Sequence, residues 1–278
     1  MIDGSLHRIS AFTESPDGGN PAGVWIGETL PAVGEMQRIA AEVGFSETAF
    51  VAPATGEQRT VRYYSPEAEV PFCGHATIAA GFVLGSERET TYRFSTVVGD
   101  VPVRAYSHEG QMRVSLTSVT PSQKPVPPGL LDEALVALGW QVDELDPAIP
   151  PMLANAGAWH LVLAVSTRER LAALDYDFDD LKSLMLEHDL TTAQLIWREN
   201  DRLFHARNPF PVGGVVEDPA TGAAAAALGG YLRDTQLLEA PAQIEIRQGD
   251  AMGRPSQLFI DVPKSGGITV SGTAVPLD

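Results

Sequence analysis

The first third of the chain alternates short apolar runs with turn residues, which is typical of β-strands. Each run is apolar or β-branched and is bounded by Gly, Pro or Asp. Short runs of this kind are typical of strands rather than helices. We therefore expect four strands in this region, at residues 6–12, 22–26, 48–51 and 60–64.

Two segments of the same region have the spacing of helices. Apolar side chains recur at helical intervals within residues 32–43, and Gly44 follows at a position suited to a C-cap. Residues 74–84 are rich in Ala and have no polar side chain after Thr77, which predicts a helix buried on most sides. Residues 120–128 contain four prolines, which predicts a linker or a domain edge.

The second half of the chain repeats this arrangement weakly, but in the same order. A helix-like stretch at residues 179–188 precedes a strand-like one, as happens within residues 32–50. An Ala-rich stretch then opens at Gly222, as another opens at Gly74. Nearly the same interval separates the members of each pair, so we predict a duplicated α+β unit of about half the chain.

The repeat places a glycine at the start of a buried helix in each unit. The first N–H groups of a helix lack internal partners and carry a partial positive charge, so they can bind a carboxylate or a phosphate. If the two units face each other about a pseudo-twofold axis, both helix starts point into one cleft. We therefore expect a small anionic substrate there.

Glu47 is the first candidate for chemistry, because it lies between a predicted C-cap and a predicted strand. The flanking Phe45 and Phe50 are expected to desolvate its carboxylate, which suits a general acid–base group. The alternative is a strand-edge glutamate that points into water. The position of Glu47 in the repeat is occupied by Thr192 in the second half, which favours one base that removes and redelivers the proton.

Three further side chains are candidates, each with a plainer alternative. His75 follows Gly74 at a helix start and could donate to a substrate or orient Glu47, or could only cap its helix. Asp218 precedes the second buried helix and could hold a substrate group, or could be an N-cap. Cys73, the single cysteine, is interpreted as a buried structural thiol rather than a nucleophile.

Composition narrows the classes of partner. Acidic residues outnumber basic ones 36 to 19, and the formal net charge of −17 predicts no nucleic acid and no membrane partner. One cysteine excludes an intrachain disulfide and the two-thiol racemase mechanism.

Residues 1–4 have no basic or apolar leader character, so a cytoplasmic location is expected. Nucleotide-binding glycine motifs, zinc-type ligand spacings and a nucleophile elbow are absent from the sequence, which predicts acid–base chemistry without a metal or cofactor.

Five segments in this order and spacing resemble the PhzF-like family, whose fold is similar to that of diaminopimelate epimerase. They are residues 17–24 (DGGNPAGV), 45–51 (FSETAFV), 70–77 (VPFCGHAT), 216–222 (VEDPATG) and 270–275 (VSGTAV).

The resemblance implies an α+β fold of two pseudo-symmetric domains, each a curved antiparallel, barrel-like sheet around a central helix. We expect domains at residues 1–119 and 120–278, with a strand at about 267–278 crossing back to the first and the active site in the cleft between them. It also implies a cofactor-independent isomerase, commonly a homodimer. The family's catalytic residues fall on Glu47, His75 and Asp218.

The same resemblance implies the substrate-binding residues and leaves the substrate open. They are Asn20, Ser46, Gly74, Gly222 and Ala223, and the ligand is a small carboxylate-bearing molecule of the trans-2,3-dihydro-3-hydroxyanthranilate type. The phenazine enzymes have a serine where this chain has Ala223, and the segment from Cys73 to Thr77 looks more like a broader branch of the family. An amino-acid epimerase or racemase and a non-catalytic small-molecule-binding protein are therefore kept as alternatives.

Overall fold

A computed structural model describes residues 4–85 and 89–278 of the chain. Two compact units are present. Unit 1 extends to Thr117 and also includes Ser271–Asp278, and unit 2 is Ser118–Val270. The leader prediction depends in part on residues 1–3, which lie outside the described residues.

Unit 1 opens with strands and contains two helices. Its elements are β1 (Gly4–Ala11), β2 (Asn20–Gly27), α1 (Val33–Val43), β3 (Glu47–Pro53), β4 (Gln58–Tyr64), β5 (Glu69–Val70), α2 (Gly74–Gly85), β6 (Thr90–Thr96), β7 (Gly99–His108) and β8 (Gln111–Thr117). Each of the four predicted strands and both predicted helices match an element of this list. Gly44 ends α1 in the left-handed conformation, with φ of 71°, as a C-cap requires.

Unit 2 also alternates strands with helices, and its described residues contain more helices than those of unit 1. Its elements are β9 (Ser122–Pro125), α3 (Pro128–Leu138), β10 (Met152–Asn155), β11 (Trp159–Ala164), α4 (Arg168–Ala172), α5 (Phe178–Glu187), β12 (Thr192–Asn200), β13 (Leu203–Arg207), β14 (Pro209–Phe210), β15 (Val215–Glu217), α6 (Gly222–Asp234), β16 (Ala242–Gln248) and β17 (Ser256–Val262). The chain returns to unit 1 within β18 (Thr269–Gly272) and ends with β19 (Ala274–Pro276).

Strand pairing follows the same scheme in both units. In unit 1, α1 connects the parallel strands β2 and β3, and Ala22 lies opposite Glu47. In unit 2, α4 and α5 connect the parallel strands β11 and β12, and His160 lies opposite Thr192. In unit 1, β3 then pairs with the antiparallel β4, and β4 pairs with the parallel β6. In unit 2, β12 pairs with the antiparallel β13, and β13 pairs with the parallel β16.

The predicted fold class is confirmed, with one difference in strand direction. The sheets are mixed rather than purely antiparallel. Parallel neighbours need a crossover connection, and helices provide it between β2 and β3 and between β11 and β12.

One helix of each unit is buried along most of its length. In α2, every side chain from His75 to Gly81 is buried, and in α6 the same holds from Ala224 to Leu232. Glycines allow the close approach of these helices to their surroundings. A Cβ at Gly81 would lie 2.6 Å from Cγ1 of Val114, and a Cβ at Gly230 would lie 2.3 Å from Cβ of Pro121.

The proline-rich segment at residues 120–128 is more ordered than a linker. It contains β9, which pairs with β10 and places Pro125 opposite Met152. Pro125 ends the strand, where a missing N–H group is tolerated. Pro128 then begins α3, where the fixed φ of proline suits the first helical turn.

The predicted domain bounds, 1–119 and 120–278, stay a prediction, which limited proteolysis would test. Among residues 4–85 and 89–278, no helix combines the length and the apolar character needed to cross a bilayer.

Candidate active site

Glu47 and His75 lie together in unit 1. Glu47 is the first residue of β3, and His75 is the second residue of α2. Glu47 Oε2 lies 3.4 Å from His75 Nε2, and the two side chains are 15% and 7% exposed. A carboxylate beside an imidazole can take up or release a proton while the ring fixes its orientation.

His75 is held by polar groups on both sides of its ring. Asn20 Nδ2 donates to Nδ1 at 3.1 Å, and Ser46 Oγ lies 3.4 Å from Nε2. With Nδ1 accepting, the neutral ring carries its proton on Nε2, which faces Glu47 and Ser46. The structure thus brings together four of the residues predicted from sequence.

The reason given for the partial burial of Glu47 is wrong. Phe50 packs with Trp25 and Met36 in the core that α1 covers, and Phe45 packs against the same core. Side chains alternate between the two faces of a strand, so Phe50 and Glu47 lie on opposite faces. The environment of Glu47 is therefore set by His75 and its neighbours rather than by the two phenylalanines.

Cys73 is also part of this set. Its Sγ lies 3.3 Å from His75 Nδ1, and the residue is buried. The Thr77 hydroxyl donates to the Cys73 carbonyl at 2.7 Å and lies 2.6 Å from the hydroxyl of Tyr63. Burial raises the pKa of Tyr63, so this phenol stays protonated and fixes the first turn of α2. One donor atom each from Glu47, Cys73 and His75 lie within 4.8 Å of one another, close enough to hold a metal ion.

Asp218 belongs to a second polar set, in unit 2. Its Oδ2 accepts a 2.6 Å hydrogen bond from the Thr221 hydroxyl. Gln248 fixes the same loop, because its Nε2 donates to the Asp218 carbonyl at 2.6 Å and to Thr221 Oγ1 at 3.0 Å. Its Oε1 accepts from the Thr221 N–H at 3.3 Å. The loop before α6 is therefore held from the end of β16.

Helix α6 begins at Gly222, as the sequence predicts, and anion binding at this helix start stays a prediction. Thr221 is the N-cap residue, but its hydroxyl is directed to Asp218 instead of the helix backbone. Gly222 is buried, and Ala223 is half-buried. Since Ala223 has no hydroxyl, any contact to an anion here must come from backbone N–H groups.

A third polar set was not predicted from the sequence and is almost fully buried. It surrounds Thr192, whose Oγ1 lies 2.8 Å from His160 Nδ1 and accepts from Asn208 Nδ2 at 3.3 Å. Within the part of the chain that the structure describes, His160 Nε2, Asn208 Oδ1 and both amide atoms of Gln194 have no hydrogen-bond partner. Burial lowers the pKa of His160 to about 3, so this ring is neutral.

Comparison with known proteins defines the family. The sequence model of the phenazine biosynthesis-like proteins, PhzC-PhzF, matches residues 9–278. The chain belongs to this family. Its curated relatives are named isomerases, and this family member is an isomerase.

Two relatives and one solved structure show the extent of the likeness. The chain is 31% identical to the uncharacterized isomerase YddE of Escherichia coli (strain K12), with 98% of this chain and 96% of the relative covered. It is 32% identical to trans-2,3-dihydro-3-hydroxyanthranilate isomerase of Pseudomonas chlororaphis, with 90% and 87% covered. The PhzF-family protein of Bacillus anthracis shares the fold, with a TM-score of 0.86 at 24% identity over 98% and 96% of the two chains.

Gln248 and the Thr192 set are the residues that sequence reasoning missed in this PhzC-PhzF protein. Gln248 follows Ile244 and Ile246 at every second position of β16, so it lies on the same buried face. A polar residue at a core position of this alternating pattern could have indicated its role. Sequence alone gave no distance between Cys73 and Glu47, because the contact depends on how β3 and α2 pack.

Proposed function

We propose that this isomerase moves a proton on a small carboxylate-bearing substrate, with Glu47 as the catalytic base. The observation that carries the proposal is the contact of Glu47 with His75, whose ring is held by Asn20 and lies near Ser46. A fixed imidazole N–H stabilises the carboxylate on one oxygen and leaves the other oxygen for a substrate C–H.

The proposed step is a proton transfer that balances within one substrate molecule. Glu47 takes a proton from one carbon, the C–H electron pair moves into the substrate's π-system, and the same proton returns to another carbon. General acid–base catalysis of this kind supplies about 10²–10⁴-fold. The rest of the rate enhancement must come from orientation and anion binding.

Residues of unit 2 are proposed to bind the polar groups of the substrate. The N–H groups at Gly222 and Ala223 would bind its carboxylate, since they belong to the first turn of α6. Asp218, oriented by Thr221 and Gln248, would accept from an amino or hydroxyl group. Gly74, at the start of α2, is proposed to provide a further backbone N–H.

The substrate is proposed to be of the trans-2,3-dihydro-3-hydroxyanthranilate type. One relative is named as the isomerase of that compound and is similar over most of both chains. Ala223 favours a substrate that needs no side-chain hydroxyl at this position. We therefore include hydroxylated amino acids in the test panel.

The test is turnover in deuterated buffer, followed by NMR, with wild type and Glu47→Gln. Glu47→Gln should lower turnover by about 10²–10⁴-fold and leave the melting temperature nearly unchanged. Glu67→Gln, an exposed glutamate of the same unit, is the matched control and should keep wild-type turnover. Undiminished turnover of Glu47→Gln would refute the role of Glu47.

The contact of Cys73 Sγ with His75 favours one second candidate, an amino-acid epimerase. Deuterium would then enter at Cα with inversion, whereas a shift places the hydrogen on a different carbon. Chiral chromatography of the product together with NMR separates the two reactions.

We further propose that the isomerase is a homodimer that needs no metal or cofactor, as the family resemblance implies. Dialysis against a chelator should leave turnover unchanged. Light scattering of the purified protein should give twice the mass of 29.7 kDa.

A further inference from the structure

Three side chains of unit 1 lie close enough together to hold a metal ion. We propose that Glu47, Cys73 and His75 bind one borderline-soft divalent cation, with Zn²⁺ as the reference ion. Each residue offers one donor atom, and the three atoms lie within 4.8 Å of one another. Thiolate, imidazole and carboxylate are the ligands that proteins use for zinc, and a thiolate disfavours Mg²⁺ and Ca²⁺.

Two of the three distances between the donor atoms match those of a tetrahedral site. Zinc–ligand bonds of about 2.0–2.3 Å give ligand–ligand separations of roughly 3.3–3.8 Å in a tetrahedron. Glu47 Oε2 and His75 Nε2 are 3.4 Å apart. Cys73 Sγ and His75 Nε2 are 3.8 Å apart. Both separations fall in this range. Sγ is nearer to Nδ1, at 3.3 Å, so the imidazole ring must turn on metal binding to bring the Nε2 lone pair toward Sγ.

The surroundings of the three donors hold them in place. Cys73 and His75 are buried, and the hydroxyl of Thr77 fixes the carbonyl of Cys73. Asn20 lies 3.1 Å from His75 Nδ1. A ring that binds metal through Nε2 carries its proton on Nδ1, so the amide of Asn20, whose Nδ2 faces Nδ1 in this structure, would turn over to present its oxygen to that proton. Such an outer partner orients a histidine ligand.

Binding replaces the thiol proton by the metal. The S–H bond of Cys73 breaks, the Sγ–metal bond forms, and the proton leaves to the buffer. Three protein ligands leave the fourth tetrahedral position to water or to an anion. The binding is independent of the proposed function.

The consequence for turnover rests on the proposed function. A metal bound to Glu47 occupies the carboxylate that would take the substrate proton. We therefore expect Zn²⁺ to inhibit the isomerase, with a chelator restoring turnover. This differs from a metal requirement, for which the chelator would have the opposite effect.

The test measures binding without substrate, so its failure is distinct from failure of the proposed base. Zn²⁺ titration calorimetry should give one site per chain in the wild type. Co²⁺ should give a thiolate-to-metal charge-transfer band in the near ultraviolet. Cys73→Ser should remove the band and lower Zn²⁺ affinity at least 100-fold, and Asn20→Ala should lower affinity about 10- to 100-fold.

A matched control and a second variant keep the result decisive. His205 and Glu199 form another histidine–carboxylate pair, at 2.7 Å, so His205→Gln should retain the band and the affinity. Thermal unfolding checks that each variant is folded, and Cys73→Ala replaces Cys73→Ser if the latter is not. Equal Zn²⁺ affinity in wild type and a folded Cys73 variant, or no binding at millimolar Zn²⁺, overturns the proposal.

Discussion

Glu47 and Thr192 occupy the same place in the two repeated units and have different surroundings. Each is the first residue of a strand that follows a helical crossover. Glu47 remains partly exposed beside His75, whose ring is held by Asn20. Thr192 is buried against His160 and Asn208, where polar atoms lack partners among the described residues.

The difference shows how one framework accommodates two kinds of polar residue. A carboxylate is tolerated where solvent and hydrogen bonds remain, because an unpaired buried charge is costly. A neutral hydroxyl is tolerated where the strand start is fully covered. We therefore propose that the unit 1 position exchanges a proton with a ligand, whereas the buried unit 2 position does not.

Replacing His75 or His160 by glutamine, one at a time, should give the largest difference between the two units. His75→Gln removes the imidazole beside Glu47 and should lower turnover about 100-fold with little loss of stability. His160→Gln should leave turnover within about threefold, since it lies in the buried set. Steady-state kinetics and thermal melts of both variants check this. Similar kinetic losses in both would contradict the comparison.

Asp218 tests whether unit 2 also contributes to the reaction. Asp218→Asn removes the charge but keeps an oxygen for the Thr221 hydroxyl, so the loop should stay in place. A hydrogen bond to a charged group contributes about 1.5–3 kcal/mol, and the loss in kcat/KM should be roughly 10- to 100-fold. Asp201→Asn, an exposed aspartate of the same unit, is the control. A kcat/KM for Asp218→Asn equal to that of the control would remove Asp218 from the site.

His160 should make the stability of the protein depend on pH. Its folded pKa is about 3, below the ordinary value of 6.5, so below pH 6.5 the unfolded state binds a proton that the folded state does not. Its contribution is fully present above pH 6.5 and is lost as the pH falls toward 3. Between pH 6.5 and 5 the loss is about 2 kcal/mol.

Urea unfolding at both pH values measures this loss. His160→Gln should unfold with a smaller dependence on pH than wild type, whereas His108→Gln, which alters an exposed histidine, should not differ from wild type. If the free energy of unfolding changed equally with pH in wild type and in His160→Gln, His160 would be protonated in the folded state.

The smallest expected effect concerns Gln194. Both of its amide atoms are buried without a partner in residues 4–85 and 89–278. Gln194→Met has a similar volume and no group that needs a hydrogen bond, so the free energy of unfolding should rise by about 1 kcal/mol. A loss of stability would show that bound water pairs with the amide.

Much of the fold followed from local pattern, because periodicity and glycine positions are properties of short segments. The bounds of α2 and the cap at Gly44 are examples. The direction of strand pairing and the burial of Gln248 depend on distant segments. Purely antiparallel sheets were expected and the sheets are mixed, and the burial of Gln248 was not predicted. For the site, motif residues such as Glu47 and His75 were identified from the sequence. The prediction that Phe50 desolvates Glu47 was wrong, because the sequence does not show which face of the sheet α1 covers.

The pairing of β19 with β1 has a consequence for folding during synthesis. Ala274 lies opposite Ala11, the Phe12 N–H donates to the Thr273 carbonyl at 2.8 Å, and the Thr273 hydroxyl donates to the Thr13 carbonyl at 2.9 Å. Unit 2 is continuous in sequence and leaves the ribosome before β19 does. Unit 1 therefore begins to be translated first but is completed last. Until β19 has been made, the edge of β1 that pairs with it is open to other strands or to chaperones.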